Sequence, residues 1–157
     1  MRKAECLEQF VSWFTEKKIS YVVVEQRFFL CSEKLSAARL DCAGLKVCGL
    51  LLGQMKNECF APSFGLLDWL AECCNEKMVV NGYGEIDFLY GKHLRKRHVV
   101  SISGSKSKDA AKLVENEHGE VLGFGFLAAE SSSKVLLNGL DRGILLKWDV
   151  GKAKKKQ

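Results

Sequence analysis

Phe88-Leu89-Tyr90-Gly91-Lys92-His93-Leu94-Arg95-Lys96-Arg97-His98 is the stretch at which this chain changes character. Three apolar residues run into a glycine, and four cations and two histidines follow within seven residues. All seven cysteines lie before it. Residues 1–90 carry 10 Lys or Arg against 12 Asp or Glu, a net −2, whereas residues 91–157 carry 14 against 7, a net +7. The overall charge of +5 therefore conceals a strongly basic half, and such asymmetry points to a polyanionic partner. A solvated basic face is the commoner fate of a single charge run, but segregation over a whole half favours the polyanion. The stretch reads as the first ordered piece of a carboxy-terminal nucleic-acid module.

A chain of 157 residues admits one domain or two small ones, and two halves of about 75 residues would each be marginal alone. The hydrophobic fraction of 47% belongs to a packed globule, and a single proline, Pro62, excludes a proline-rich linker. The opening Met1-Arg2-Lys3-Ala4-Glu5-Cys6-Leu7-Glu8 has acids where a secretory signal needs an apolar core. Apolar runs fall far short of the roughly 20 residues that span a bilayer. A soluble intracellular protein with no membrane association is expected. Cysteines at 6, 31, 42, 48, 59, 73 and 74 form no C-x-x-C pair, so core thiols are expected rather than disulfides or metal ligands.

Taken in order, Leu7, Phe10, Val11 and Phe14 repeat at helical spacing and predict an amphipathic helix over about residues 3–17. Ile19–Val24 and Phe28–Cys31 predict a hairpin, and Ser32 with Glu33 opens a helix to Leu40. Leu45–Leu52 predicts a third strand, Gly53–Asn57 a turn and Glu58–Ala61 the returning strand, after which Ser63 caps another helix. Met78–Val80 starts the second half as a strand, Asn81–Gly84 reads as a loop and Phe88–Tyr90 as strand-like. Strands follow at Val99–Ile102, Lys112–Glu115, Val121–Leu127 and Val135–Leu137, with a hairpin turn at Asn116–Gly119. Asn138–Gly143 reads as a loop into a last ordered piece, Ile144–Trp148. Short strands with glycine turns predict a small barrel.

Catalytic signatures are sparse. Gly123-Phe124-Gly125-Phe126-Leu127-Ala128 matches G-x-G-x-x-A by letter, but its glycines alternate within one strand instead of opening a helix, so close backbone packing is the better reading. No P-loop, H-E-x-x-H or G-x-S-x-G occurs. No cofactor or metal is expected, and nothing in these patterns argues for a catalytic pairing.

Four motifs carry a resemblance. Arg27-Phe28-Phe29-Leu30-Cys31-Ser32-Glu33-Lys34 resembles the strand-into-helix element of the Nip-seven family of large-subunit ribosome-biogenesis factors. Phe88-Leu89-Tyr90-Gly91-Lys92-His93 resembles its F-L-Y-G-N-H signature, and Val121-Leu122-Gly123-Phe124-Gly125 its L-G-F-G strand. Asp141-Arg142-Gly143 with Leu146-Lys147 is similar to its D-I-G…(V/L)-R ending. Order and approximate spacing agree over about residues 20–150. The chain departs from the pattern in a shorter segment before Arg27, a shorter one between Ala129 and Val135, and Lys147 in place of an arginine.

The resemblance implies an α+β fold. An amino-terminal α/β domain (1–76), with a mainly antiparallel sheet and flanking helices, precedes a PUA-like small β pseudo-barrel (77–150) and a basic tail (151–157). It implies a non-catalytic RNA-binding assembly factor for large-subunit biogenesis and pre-rRNA processing. Its partners would be pre-rRNA in large-subunit precursors and, through the amino-terminal domain, nucleolar assembly proteins. The chain would be a monomer in the nucleus and nucleolus, or in the cytoplasm if archaeal. The rival class is an RNA-modification enzyme or accessory subunit guided by the barrel. Arg142, Lys147, Lys152 and Lys154 are the first expected phosphate contacts, and Lys92, Arg95, Lys96 and Arg97 the second. Tyr90 is expected to pack in the core, while Trp148 stands between packing and base stacking.

Overall fold

The computed structural model describes residues 3–32, 44, 46–129 and 132–144. The expected helix from Glu33 to Leu40, the last ordered piece beyond residue 144 and the basic tail lie outside the described residues. The chain divides into two compact units, Met1–Cys73 and Cys74–Gln157.

In the first unit, α1 (Lys3–Ser12) is followed by β1 (Tyr21–Val24), β2 (Arg27–Leu30), β3 (Leu50–Lys56), β4 (Cys59–Pro62) and α2 (Phe64–Cys73). The strands form an antiparallel sheet in the order β1-β2-β3-β4. Helix α1 buries Leu7, Phe10 and Val11 along the predicted stripe, and the Phe10 ring lies 5.6 Å from Phe60 on β4. Each such side chain contributes roughly 1.5–3 kcal/mol of burial. The helix ends five residues earlier than expected. Thr15 Oγ1 donates to the Cys73 carbonyl and accepts from the Lys17 amide, a local competition that favours turns over continued helix. Strand β3 runs straight through the expected Gly53 turn. Gly53 lies where an added Cβ would meet the Phe60 ring and the Ala61 carbonyl. The turn is instead made by Asn57 and Glu58, at φ +48° and +63°. Ser63 caps α2 as expected, its Oγ accepting from Leu66 N at 3.2 Å.

The second unit runs β5 (Lys77–Val80), α3 (Gly82–Leu89), a 3₁₀ turn (Lys96–His98), β6 (Val99–Ile102), β7 (Ala111–Asn116), β8 (Val121–Leu127) and β9 (Leu136–Asp141). Its sheet has the order β6-β5-β7-β8-β9, with β5 and β7 parallel and the other pairs antiparallel. Leu94 bridges to Leu136 on β9, while the same segment continues into β6 at the opposite edge. Residues 92–98 thus cross from one sheet edge to the other and close the curled sheet into a pseudo-barrel. Phe88, Leu94, Met78, Val80, Val114, Leu122, Leu127 and Leu136 fill it. The turn Asn116–Gly119 is a hairpin, Asn116 Oδ1 accepting from the amides of His118 and Glu120.

Two readings of this half are corrected. Asn81–Tyr90 is neither loop nor strand: Asn81 Oδ1 accepts from Gly84 N at 3.0 Å and caps helix α3, with Glu85 in the first turn. Two glycines disguise the helix, and Gly84 is required where it stands, because a Cβ there would come within 2.9 Å of His98 Cβ. Asn138–Asp141 is not loop but the second half of β9, with Gly139 packed under the Phe124 ring. The α+β class holds throughout.

Candidate nucleic-acid interface

Helix α3 and the segment after it build the most distinctive surface of the second unit. The helix turns Phe88 inward, which puts Tyr83, Ile86 and Tyr90, at positions i, i+3 and i+7, on its outer face. Tyr83 is 81% exposed and Tyr90 71%, so the expectation that Tyr90 packs in the core is overturned. Its neighbours Leu89 and Phe88 take the inward positions instead. A groove of about 480 Å³ opens between Tyr83, Ile86, Asp87, Arg97 and His98.

Arg97 lines it, and the other cations lie along the same segment. Lys92, Arg95, Lys96 and Arg97 are all exposed, while Leu94 and His98 are buried between them and anchor the segment. Asn81 pins the end of the segment, its amide donating to the His98 carbonyl at 3.0 Å and its Nδ2 to the Arg97 carbonyl at 2.9 Å. Helix cap and basic segment therefore share one residue. Lys92 Nζ reaches Asp87 Oδ1 at 2.7 Å, an exposed pair of small net worth.

His98 is only 2% exposed. Its Nδ1 accepts from the Arg95 amide at 3.3 Å, and its Nε2 lies 3.6 Å from Asp87 Oδ2. Arg97 Nε stands 3.1 Å from that same nitrogen. Burial lowers the His98 pKa below its ordinary value, and Arg97, Arg95 and Lys92 lower it further against the opposing pull of Asp87. The Lys92 hydrogen bond holds Asp87 below the usual carboxylate range. At neutral pH the imidazole is a neutral, packed spacer beneath the exposed Arg95 and Arg97 side chains, and Arg97 hydrogen-bonds to it.

The other expected contacts fall elsewhere. Arg142 is half-buried, with Nε donating to the Val121 carbonyl at 2.6 Å, so part of its guanidinium is engaged by backbone. Lys147, Lys152, Lys154 and Trp148 lie outside the described residues. Tyr83 and Ile86 escaped the sequence reading because their shared face exists only once Asn81–Leu89 is a helix. Among the described residues, no group of three or more His, Cys, Asp or Glu side chains is placed to hold a metal, and no helix is long and apolar enough to cross a membrane.

The fold is that of solved PUA-domain proteins. Solved structures of similar fold include a PUA domain protein from Thermoplasma acidophilum (15% identity, 91% of this chain and 92% of that one, TM-score 0.51). A PUA domain from Aeropyrum pernix is also similar (14% identity, 96% and 86%, TM-score 0.58). So is a hypothetical protein from Pyrococcus horikoshii (11% identity, 94% and 93%, TM-score 0.51). Residues 76–148 match the model of the UPF0113 PUA domain family. Over 94 residues the chain is 31% identical to the 60S ribosome subunit biogenesis protein nip7 of Schizosaccharomyces pombe, covering 59% of this chain and 51% of that protein. The chain spans about half the length of this curated relative. The resemblance to the Nip-seven family is thereby borne out.

Proposed function

We propose that this protein is a non-catalytic RNA-binding factor that acts in assembly of the large ribosomal subunit. The carrying observation is the exposed face of α3, where Tyr83 and Arg97 line a groove and Tyr90, Lys92, Arg95 and Lys96 are exposed on the same helix end and the segment after it. Cations supply affinity through phosphate neutralisation, and exposed aromatic rings offer stacking platforms that tolerate any base. The likeness to a protein named for 60S subunit biogenesis supports pre-rRNA within large-subunit precursors as the polyanion. On this reading the first unit docks to nucleolar assembly proteins, and the chain works as a monomer in the nucleolus, or in the cytoplasm of an archaeon. Arg142, Lys147, Lys152 and Lys154 extend the phosphate-binding surface.

Fluorescence anisotropy with the full chain and a uridine-rich single strand tests the reading. The wild type should bind with log affinity falling linearly in log salt. Replacing Lys92, Arg95, Lys96 and Arg97 by alanine should flatten the slope by about 0.7 for each phosphate no longer neutralised. An unchanged slope would reject this surface as the interface. Crosslinking in cells should map the protein to large-subunit pre-rRNA, and reads confined to other RNAs would reject the assembly role.

A further inference from the structure

A second cavity in the same unit, of about 270 Å³, is lined by three lysines that arrive from three different segments. Lys96 comes from the 3₁₀ turn, Lys106 from the loop after β6, and Lys134 from the approach to β9. None of the three makes an ion pair among the described residues, although carboxylates engage Lys77, Lys92, Lys108 and Lys112 elsewhere in the unit. Among the described residues the three like charges have no counter-charge, and an anion between them relieves their repulsion.

The floor of the cavity is apolar. Buried Leu127 and half-buried Ile102 and Val135 face it and belong to the core packing beneath. A bare inorganic anion needs no such floor, whereas a nucleotide, with one charged end and one flat apolar face, uses both halves of the site.

The walls are built before any ligand arrives. Lys112, fully buried, donates from Nζ to Glu76 Oε2 and to the Ser103 carbonyl. Both Glu76 oxygens accept from the Ser105 amide, at 3.0 and 3.1 Å. That carboxylate packs where a Cβ on Gly104 would stand, at φ +73°. The loop carrying Lys106 is thus clamped by a buried ion pair. On the opposite wall Ser132 Oγ accepts from the Lys134 amide at 3.1 Å, and Ala128 N donates to the Val135 carbonyl at 2.9 Å.

We infer that this cavity holds one nucleotide of a single-stranded RNA, its phosphate between Lys96, Lys106 and Lys134 and its base on the floor of Ile102, Leu127 and Val135. The inference rests on the RNA-binding reading and adds a second contact point to it. Lys96 lines this cavity and its chain neighbour Arg97 lines the α3 groove, so the two sites adjoin.

Two variants of the full chain separate the components. Lys106→Ala with Lys134→Ala removes charge only, and Ala129→Phe fills the cavity without altering charge. The double-lysine variant should weaken binding of a uridine decamer and flatten its salt slope by about 0.7, the value of one single-strand phosphate. The filled cavity should weaken binding about tenfold, within the range for loss of one stacked base, at unchanged slope. Nuclear magnetic resonance titration of the wild type with uridine monophosphate should shift the amides of Ile102, Leu127 and Val135, and inorganic phosphate should shift those of Lys96, Lys106 and Lys134 without them. Shifts at the α3 groove with none at the cavity would overturn the inference, whether or not the variants fold. Wild-type RNA binding that both folded variants retain in full would overturn it and leave the α3 surface standing. Failure of the wild type to bind RNA would overturn both.

Discussion

Gly143 and Leu89 meet backbone to backbone: an added Cβ on Gly143 would overlap the Leu89 carbonyl. The contact joins the end of α3 to the turn after β9, two motifs more than fifty residues apart in the chain. Asn138 reinforces it, donating from Nδ2 to the Phe88 carbonyl at 2.9 Å. Replacing Gly143 by alanine is expected to cost about 1–3 kcal/mol, the range for overpacking a closed interior. Urea unfolding followed by circular dichroism gives the value, and a change within about 0.5 kcal/mol, as at an ordinary surface site, would show that the two backbones separate freely.

The Lys112–Glu76 pair offers a second check. Glu76→Gln leaves a fully buried ammonium without its counter-ion, and breaking one side of such a pair costs about 3–5 kcal/mol. Pairing Glu76→Gln with Lys112→Met should recover much of that loss, since no charge then remains buried. Amide hydrogen exchange along β7 reads both effects. Equal protection in the single and double variants would contradict a buried charge as the cause.

His98 makes stability depend on pH. Its folded pKa lies below the unfolded value of about 6.5, so the unfolded chain takes up the proton first. Stability is fully present above that value and is lost as pH falls through the folded pKa. Asp87, also depressed, holds its contribution until its own lower range near pH 4 and below. Urea midpoints between about pH 7.5 and 5 should decline in the wild type and stay flatter in His98→Gln. A midpoint that rises on acidification would mean that the Asp87 carboxylate dominates the ring.

Cys31 and Cys48 bring their sulfurs to 3.0 Å, and closing to a bond of about 2.05 Å needs little movement. Glutathione disulfide is expected to take the two hydrogens from this pair, leaving one protein disulfide and two glutathione thiols. Intact mass and peptide mapping detect the link, and Cys31→Ser abolishes it. Glutathionylation of exposed Cys59 with no 31–48 link would show that the pair resists closure.

Tyr83→Ala with Tyr90→Ala should weaken RNA binding by about 1–3 kcal/mol per stacked base while the salt slope stays constant, because neither ring carries a charge. An affinity equal to wild type would reduce both rings to bystanders.

Much of this was legible in the chain. The α1 stripe, the Ser63 cap and the Asn116–Gly119 hairpin each announce themselves locally, through periodicity or through one side chain meeting one backbone group. Glycine was the main source of error. At 53 and 139 it looked like a turn but serves close approach inside a strand, and at 82 and 84 it concealed a helix that Asn81 caps. The cationic segment could be read because charge needs no fold to be counted. Tyr83 could not, since its exposure follows from a helix. Nor could the grouping of Lys96, Lys106 and Lys134, which the closure of three loops creates.

The crossing of residues 92–98 between the two sheet edges makes the cationic segment a seam. A polyanion that grips it binds only molecules in which the seam is fastened, so binding and closure are thermodynamically one event. Occupancy is then felt away from the ligand, as slower opening of the interior strand β7, which never touches it.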